Sequence, residues 1–259
     1  KLYVDETSLV LNKLVCIKCD ICKTVCPKED ISVIRDEKEV RIDIDEEKCV
    51  LCEVCSHFCP VSAITLTHNN LPKSILVDNQ GVLSFPKRIE IDTSRCPSHC
   101  SKNPEGEHRW CRKNDEVIDN TYEDCPKFCF SCVKNCPRDL IEVEGDSVKP
   151  NEARCLGCPH CQDSCEYGSI SLTPVFSGEI SIDIKLCPEE CTKCIDICPT
   201  KAISREGEEV VVNDRYCSFC GACVNICDKE AIDLKRTDVK AEEGEFSAAW
   251  SNAVEKLTG

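Results

Sequence analysis

Aromatic side chains make up only 5% of this 259-residue chain, too few for cores built on aromatic packing. No stretch approaches the ~18 consecutive apolar residues of a membrane-spanning helix. The opening KLYVDETSLVLNKL also lacks the continuous apolar segment of a secretory signal. There is no GxGxxG and no GKS or GKT phosphate loop, and the five histidines do not cluster, so no motif marks a nucleotide or substrate site. Positive charge is short as well: 32 Lys and Arg face 47 Asp and Glu, a formal net charge of −15. Nucleic acid and anionic membranes are poor partners for such a surface, whereas a protein with a basic docking patch suits it. These absences lead to the expectation of a cytoplasmic protein of a reducing, anaerobic cell, with no membrane span and no substrate site of its own.

Cysteine is what the chain has in excess, 27 residues in all. Most of them spell six four-cysteine motifs that fall in three adjacent pairs. Cys16, Cys19, Cys22 and Cys26 precede Cys49, Cys52, Cys55 and Cys59. Cys125, Cys129, Cys132 and Cys136 precede Cys155, Cys158, Cys161 and Cys165, and Cys187, Cys191, Cys194 and Cys198 precede Cys217, Cys220, Cys223 and Cys227. Thiols spaced three or four positions apart converge on one metal more readily than they pair with distant partners, which argues against a disulfide scaffold. In bacterial-type motifs of this spacing, three cysteines hold one four-iron cube and the fourth holds the other cube of the pair.

The crossing rule assigns six clusters. They are Cys16, Cys19, Cys22 with Cys59; Cys49, Cys52, Cys55 with Cys26; Cys125, Cys129, Cys132 with Cys165; Cys155, Cys158, Cys161 with Cys136; Cys187, Cys191, Cys194 with Cys227; and Cys217, Cys220, Cys223 with Cys198. Six oxidised cubes, each about two negative charges, would bring the net charge to roughly −27. Units of some 55 to 65 residues bury little apolar surface, so metal stands in for a core and the metal-free protein is expected to be unfolded or molten.

Two further residues keep step with the cysteines. An isoleucine stands five residues after every fourth cysteine: Ile31, Ile64, Ile141, Ile170, Ile203 and Ile232. Asn12, Asp45, Asn151, Asp183 and Asn213 stand four residues before the first cysteine in five motifs of the six. The isoleucines suit packing beside a cluster, and the Asx side chains suit a turn into the ligand loop. Between the motifs of each pair lies a hairpin signal: alternation at Val33, Val40, Ile42 and Ile44, then turns at Gly145 and Gly207. A short helix is expected after Cys22 and its equivalents.

Residues 70–120 break the pattern. RIEIDTSRCPSHC is similar to EISIDIKLCPEEC, with Asp92 four residues before Cys96 as Asp183 is before Cys187. The segment reads as a degenerate half-unit that has lost a cysteine. Cys96, Cys100 and Cys111 with His99 or His108 could hold zinc, could hold a seventh cluster with a non-cysteine ligand, or could be free thiols of a folded insert. His57 and His160, inside ligand loops, read as solvated spacers. In the tail, Phe246, Trp250, Val254 and Leu257 fall on one helical face, to be covered either by the third pair or by a partner protein.

On these serial paired motifs over residues 16–232, with their CPKFC and CPEEC openings, the chain resembles the archaeal polyferredoxins, in particular the F-subunit type of formylmethanofuran dehydrogenase. That type carries four complete pairs, and this chain has three plus the damaged segment. The resemblance and the repeat together predict an α+β chain of tandem dicluster ferredoxin-like units organised around 4Fe-4S clusters. Their expected bounds are 1–69, 121–176 and 177–236, with a degenerate insert at 70–120 and a tail helix at 237–259. The expected function is a relay of single electrons between a low-potential donor and a redox enzyme within a larger complex. Hydrogenase, ferredoxin or formylmethanofuran dehydrogenase would be partners of the right kind; a free carrier and a zinc-rich structural protein are the alternatives.

Overall fold

A computed structural model describes residues 5–35, 40–74, 81–96, 129, 131–144 and 147–259, together with the backbone of 111–113 and 116–118. In chain order the first pair of motifs contributes β1 (Thr7–Leu11), α1 (Ile21–Val25), β2 (Ile31–Arg35), β3 (Val40–Ile44), α2 (Val54–His57), β4 (Ile64–His68) and β5 (Leu71–Pro72). Then come β6 (Ile89–Ile91), β7 (Cys111–Lys113), β8 (Glu116–Ile118), α3 (Ser131–Lys134), β9 (Ile141–Glu144), β10 (Ser147–Pro150), α4 (His160–Asp163) and β11 (Ile170–Leu172). The third pair supplies β12 (Phe176–Ile182), α5 (Lys193–Ile197), β13 (Ile203–Glu206), β14 (Glu209–Val212), α6 (Ala222–Ile226) and β15 (Ile232–Val239), and α7 (Ala248–Thr258) is the tail.

Short helices and small antiparallel sheets thus alternate, and no described sheet exceeds three strands. The three expected hairpins are present as β2 with β3, β9 with β10 and β13 with β14. In the last, Gly207 turns the chain at φ +65°, a conformation glycine adopts without the Cβ penalty. The short helices start before the third cysteine rather than after it, so that Cys22, Cys55, Cys132, Cys161, Cys194 and Cys223 lie within them.

Two compact units result: Lys1–Pro86 with Pro174–Gly259, and Lys87–Thr173. Unit 1 therefore combines the first and third pairs. Its apolar core includes Ile21, Val25 and Phe58 from the first pair, Phe176 and Val239 from the third, and Trp250, Ala253 and Leu257 from α7. The tail helix covers the first pair as well as the third: Trp250 lies 5.9 Å from Phe58 in a stacked arrangement, and Lys256 Nζ donates to the Cys26 carbonyl at 3.2 Å. The expected packing on the third pair alone is corrected accordingly.

Arg236, buried on β15, ties the same seam. Its guanidinium donates to the carbonyls of Phe219 (2.9 Å) and Cys220 (2.7 Å) and to Asp20 Oδ1 of the first pair (3.3 Å). Unit 2 has a smaller core of Ile89, Cys132, Ile141, Cys161 and Ile170. Its strand β6, which the sequence assigned to the insert, pairs with β11 of the second pair.

Candidate metal centres

Five of the half-motifs are built the same way, from the strand inward. The residue before the Asx position pairs in register with the periodic isoleucine of the partner motif: Leu11 with Ile64, Ile44 with Ile31, Pro150 with Ile141, Ile182 with Ile232 and Val212 with Ile203. The Asx N–H then donates to the carbonyl four residues past the partner's fourth cysteine. These bonds are Asn12 to Ala63 (2.7 Å), Asp45 to Asp30 (2.8 Å), Asn151 to Leu140 (2.7 Å), Asp183 to Ala231 (2.8 Å) and Asn213 to Ala202 (2.8 Å). Most of the Asx side chains close the expected turn, as where Asp45 Oδ1 accepts from Glu47 N at 3.1 Å and Asp183 Oδ1 from Lys185 N at 3.0 Å. All six isoleucines are buried.

Backbone N–H groups are aimed at the sulfurs. Lys18, Gly157 and Phe219, each two residues past a first cysteine, donate to Cys16, Cys155 and Cys217 Sγ at 3.4 Å. Ala63, Leu140 and Ala202, each four residues past a fourth cysteine, donate to Cys59 (3.1 Å), Cys136 (3.3 Å) and Cys198 (3.2 Å). This wrapping has a conformational cost. Lys18, Leu51, Gly157 and Phe219 share a left-handed backbone, and so do Glu29, Ser62, Asp139, Gly168, Lys201 and Glu230, three residues past the six fourth cysteines. Left-handed non-glycine residues cost roughly 1–3 kcal/mol each, and their recurrence at matched positions ties them to the loop's task. Nothing in the residue types announced them, since only Gly157 and Gly168 among the ten are glycine.

The thiols gather in crossed sets. One hollow is lined by Cys16, Cys19, Cys22 and Cys59, another by Cys155, Cys158, Cys161 and Cys136, and a third by Cys187, Cys191, Cys194 and Cys227. Burial and then the charges of Cys22, Cys52, Cys26 and Cys49 push Cys55 up. Burial raises Cys217 to about 12, with Cys220 and Cys198 adding to it. Cys22 is likewise pushed up to about 12 by burial, then by Cys59 and Cys16. Such thiols stay protonated at neutral pH unless a metal displaces the proton.

The donor set fits 4Fe-4S clusters. Four thiols line each of these hollows, N–H groups point at the sulfurs, and the buried Ser218 hydroxyl favours the Cys220 thiolate. Among the described residues no three His, Cys, Asp or Glu groups close on one point, as a single tetrahedral zinc at ~2.3 Å per thiolate requires. Within unit 1 thiols of two pairs, Cys19 and Cys22 of the first and Cys220 of the third, share one buried core. Cys19 is raised well above its ordinary value by burial first and by Cys220 next, and both residues are buried.

Of the zinc or seventh-cluster candidates, Cys100, His99 and His108 lie outside the described residues, and Cys111 is described only through the backbone of β7. Cys125 also lies outside them. Cys96 is half-buried, with its Sγ 3.6 Å from Ser169 Oγ. His57 is no solvated spacer: its ring lies 4.7 Å from Trp250 and 5.5 Å from Phe85, and Nε2 is 2.5 Å from the Leu83 carbonyl. His160 opens α4 and is half-buried. Sequence reasoning missed Arg236, Ser218 and Ser169, single polar residues that no motif marks.

Two families described as 4Fe-4S dicluster domains match residues 15–63 and 179–228. A ferredoxin of Methanothermococcus thermolithotrophicus is 36% identical over 58 residues, 22% of this chain and 97% of that protein. Polyferredoxin protein MvhB of Methanothermobacter marburgensis is 32% identical over 100 residues, 35% of this chain and 23% of that protein, so the match spans less than a quarter of this longer relative. A chain in the structure of a formate dehydrogenase, heterodisulfide reductase and formylmethanofuran dehydrogenase complex from Methanospirillum hungatei superposes with a TM-score of 0.78. It is 26% identical, and the alignment covers 100% of this chain and 87% of that one.

Proposed function

The chain belongs to the 4Fe-4S dicluster ferredoxins, and on that premise we propose that it is a polyferredoxin relaying single electrons within a larger anaerobic redox complex. A four-iron cube supplies one-electron chemistry at potentials set by charge, hydrogen bonds to sulfur and exposure. Five of the proposed ligand sets are the crossed quartets read from the sequence, and the sixth is built on Cys129, Cys132 and Cys165. The chain's own residues hold the thiols in place, exclude water from them and aim N–H donors at them. No helix among the described residues is long and apolar enough to cross a membrane.

What supports a relay, as against a set of separate carriers, is that Cys19 of the first pair and Cys220 of the third are buried in one core of unit 1. On this reading four proposed sets share unit 1: Cys49, Cys52, Cys55 and Cys26; Cys16, Cys19, Cys22 and Cys59; Cys217, Cys220, Cys223 and Cys198; and Cys187, Cys191, Cys194 and Cys227. A shuttle has no need of such a series, whereas a subunit bridging a donor and an acceptor does. We read the units as α+β dicluster modules, the setting as the archaeal cytoplasm, and the donor and acceptor as redox proteins of the hydrogenase, ferredoxin or formylmethanofuran dehydrogenase kind. No substrate site of the chain's own enters this reading.

Anaerobic iron and sulfide analysis tests it. Six four-iron sites give about 24 irons per chain; a count of about eight to twelve would reject three full pairs, and a zinc-dominated content would favour the structural alternative.

A further inference from the structure

Five motifs have an Asx residue four positions before their first cysteine, and the motif that opens at Cys125 does not: Thr121 stands there. The structure supplies the sixth Asx from elsewhere. Asp92 N donates to the Ser169 carbonyl at 2.8 Å, and Ser169 is the residue four past Cys165. This is the same crossed bond, at the same length, that the other five half-motifs make. The strand register agrees. Ile91, just before Asp92, pairs with Ile170, the periodic isoleucine of that motif, as Ile182 pairs with Ile232 in the third pair.

Beyond Asp92 the geometry continues in step. Asp92 Oδ1 accepts from Ser94 N at 3.1 Å, and a single 3-10 turn (Thr93–Arg95) leads into Cys96. In the third pair Asp183 caps an equivalent turn (Ile184–Leu186) that leads into Cys187. Cys96 therefore stands where Cys187 stands, at the first-ligand position. Its sulfur is 3.6 Å from Ser169 Oγ, which is itself 3.1 Å from Cys165 Sγ. Cys132 and Cys165 lie in one small core with the periodic Ile141 and Ile170.

We infer that Cys96, and not Cys125, is the first thiolate of the cluster held by Cys129, Cys132 and Cys165. Residues 97–128 are then an insertion of 32 residues between first and second ligands, where the third pair has only Pro188, Glu189 and Glu190. The damaged half-unit of the sequence disappears: its strand, its Asx turn and its first cysteine belong to the second pair. Cys125 is released from the ligand set, and the even CxxxCxxC spacing that suggested it is a coincidence of where the insertion ends.

This assignment rests on the cluster-binding reading above, and the experiment separates the two. In anaerobically prepared full-length protein, Cys125→Ala should keep the wild-type iron content and EPR spectrum. Cys96→Ala should lose about four irons, one cube, or convert that site to a three-iron cluster with its own EPR signal. Iron loss from Cys125→Ala overturns the assignment, as does full retention by Cys96→Ala. Should Cys96→Ala fail to fold, the wild-type protein still decides. Cys96 must resist iodoacetamide while the clusters are in place and react after iron is chelated; alkylation of Cys96 in the intact protein overturns it. A wild-type count of about eight to twelve irons would instead sink the parent reading, whichever cysteine is chosen.

Discussion

Units 1 and 2 are assembled from the same half-motif and differ in what surrounds it. In unit 1 a continuous apolar core joins two pairs, closed by Trp250 and the tail helix. In unit 2 one pair rests on a small core and takes its long insertion inside a ligand loop. The contrast reaches the sulfurs through one position, four residues past the fourth cysteine. In the first motif of unit 1 Asp30 holds it, and its buried carboxylate accepts from Cys26 Sγ at 2.5 Å; burial, and then Asp30, raise that thiol. In the second motif of unit 2 Ser169 holds it. Burial opposes the Cys165 thiolate, yet the Ser169 hydroxyl with the N–H groups of Ser169, Tyr167 and Gly168 outweighs it and brings Cys165 below its ordinary value. Identical backbones thus carry opposite electrostatics, and the clusters they serve should differ in potential.

The largest effect expected from this contrast is on stability. Trp250 is 4% exposed and packs on His57 and Phe58, so Trp250→Ala should cost about 3–5 kcal/mol. Because the cavity opens beside the first pair, iron should be lost from unit 1 while unit 2 keeps its complement. Mössbauer or iron analysis after a mild urea challenge would show which sites empty; equal loss from both units would break the comparison.

Next in size is Asp30→Asn. A carboxylate beside a cluster thiolate disfavours adding an electron, by on the order of 2 kcal/mol at an intermediate effective dielectric, equivalent to about 90 mV for one electron. The potential of the cluster held by Cys49, Cys52, Cys55 and Cys26 should rise by that amount in an EPR-monitored titration. Ser169→Ala should act in the opposite direction and more weakly. Losing one hydrogen bond of about 1 kcal/mol should lower the potential of the Cys165 cluster by about 40 mV. Shifts of the same sign in both variants would mean that this position does not tune the sulfur. Ala63 and Ala202, which supply only an N–H at the equivalent place, provide the internal baseline.

How far the sequence reached follows from the same positions. Hairpins and buried isoleucines were legible because each repeats with the cysteines, and a repeat can be counted. The Asx series was legible too, and its sixth member was visible in RIEIDTSRC, but an insertion of 32 residues separated Asp92 and Cys96 from Cys129, and regular spacing favoured the nearer Cys125. The left-handed residues were hidden because lysine, leucine, glutamate and phenylalanine do not advertise a positive φ. The union of the first and third pairs was hidden for a different reason. It depends on Arg236 meeting Asp20 and on Asn225 Nδ2 donating to the Lys18 carbonyl at 3.1 Å, contacts more than 200 residues apart that no local pattern encodes.

The smallest expected effect concerns the two motifs whose fourth cysteine is followed by an acid, Glu166 after Cys165 and Asp228 after Cys227. On sequence alone each carboxylate should depress its cluster, the one that the preceding cysteine completes. The structure makes Asp228 a different case from Asp30. Its carboxylate is exposed and lies 3.3 Å from Lys193 Nζ, which sits between Cys191 and Cys194; the Lys193 partner holds Asp228 below its ordinary value. A screened ion pair at the rim presents little net charge to the sulfurs. Asp228→Asn leaves the Lys193 charge uncompensated, so the potential of the Cys187, Cys191, Cys194 and Cys227 cluster should rise, by less than the Ser169 shift, and the change should shrink as salt is added. Lys193→Ala should move the same cluster downward. A rise for Asp228→Asn as large as that for Asp30→Asn would show that surface carboxylates tune these clusters as strongly as buried ones, and the distinction between Asp30 and the rest would be lost.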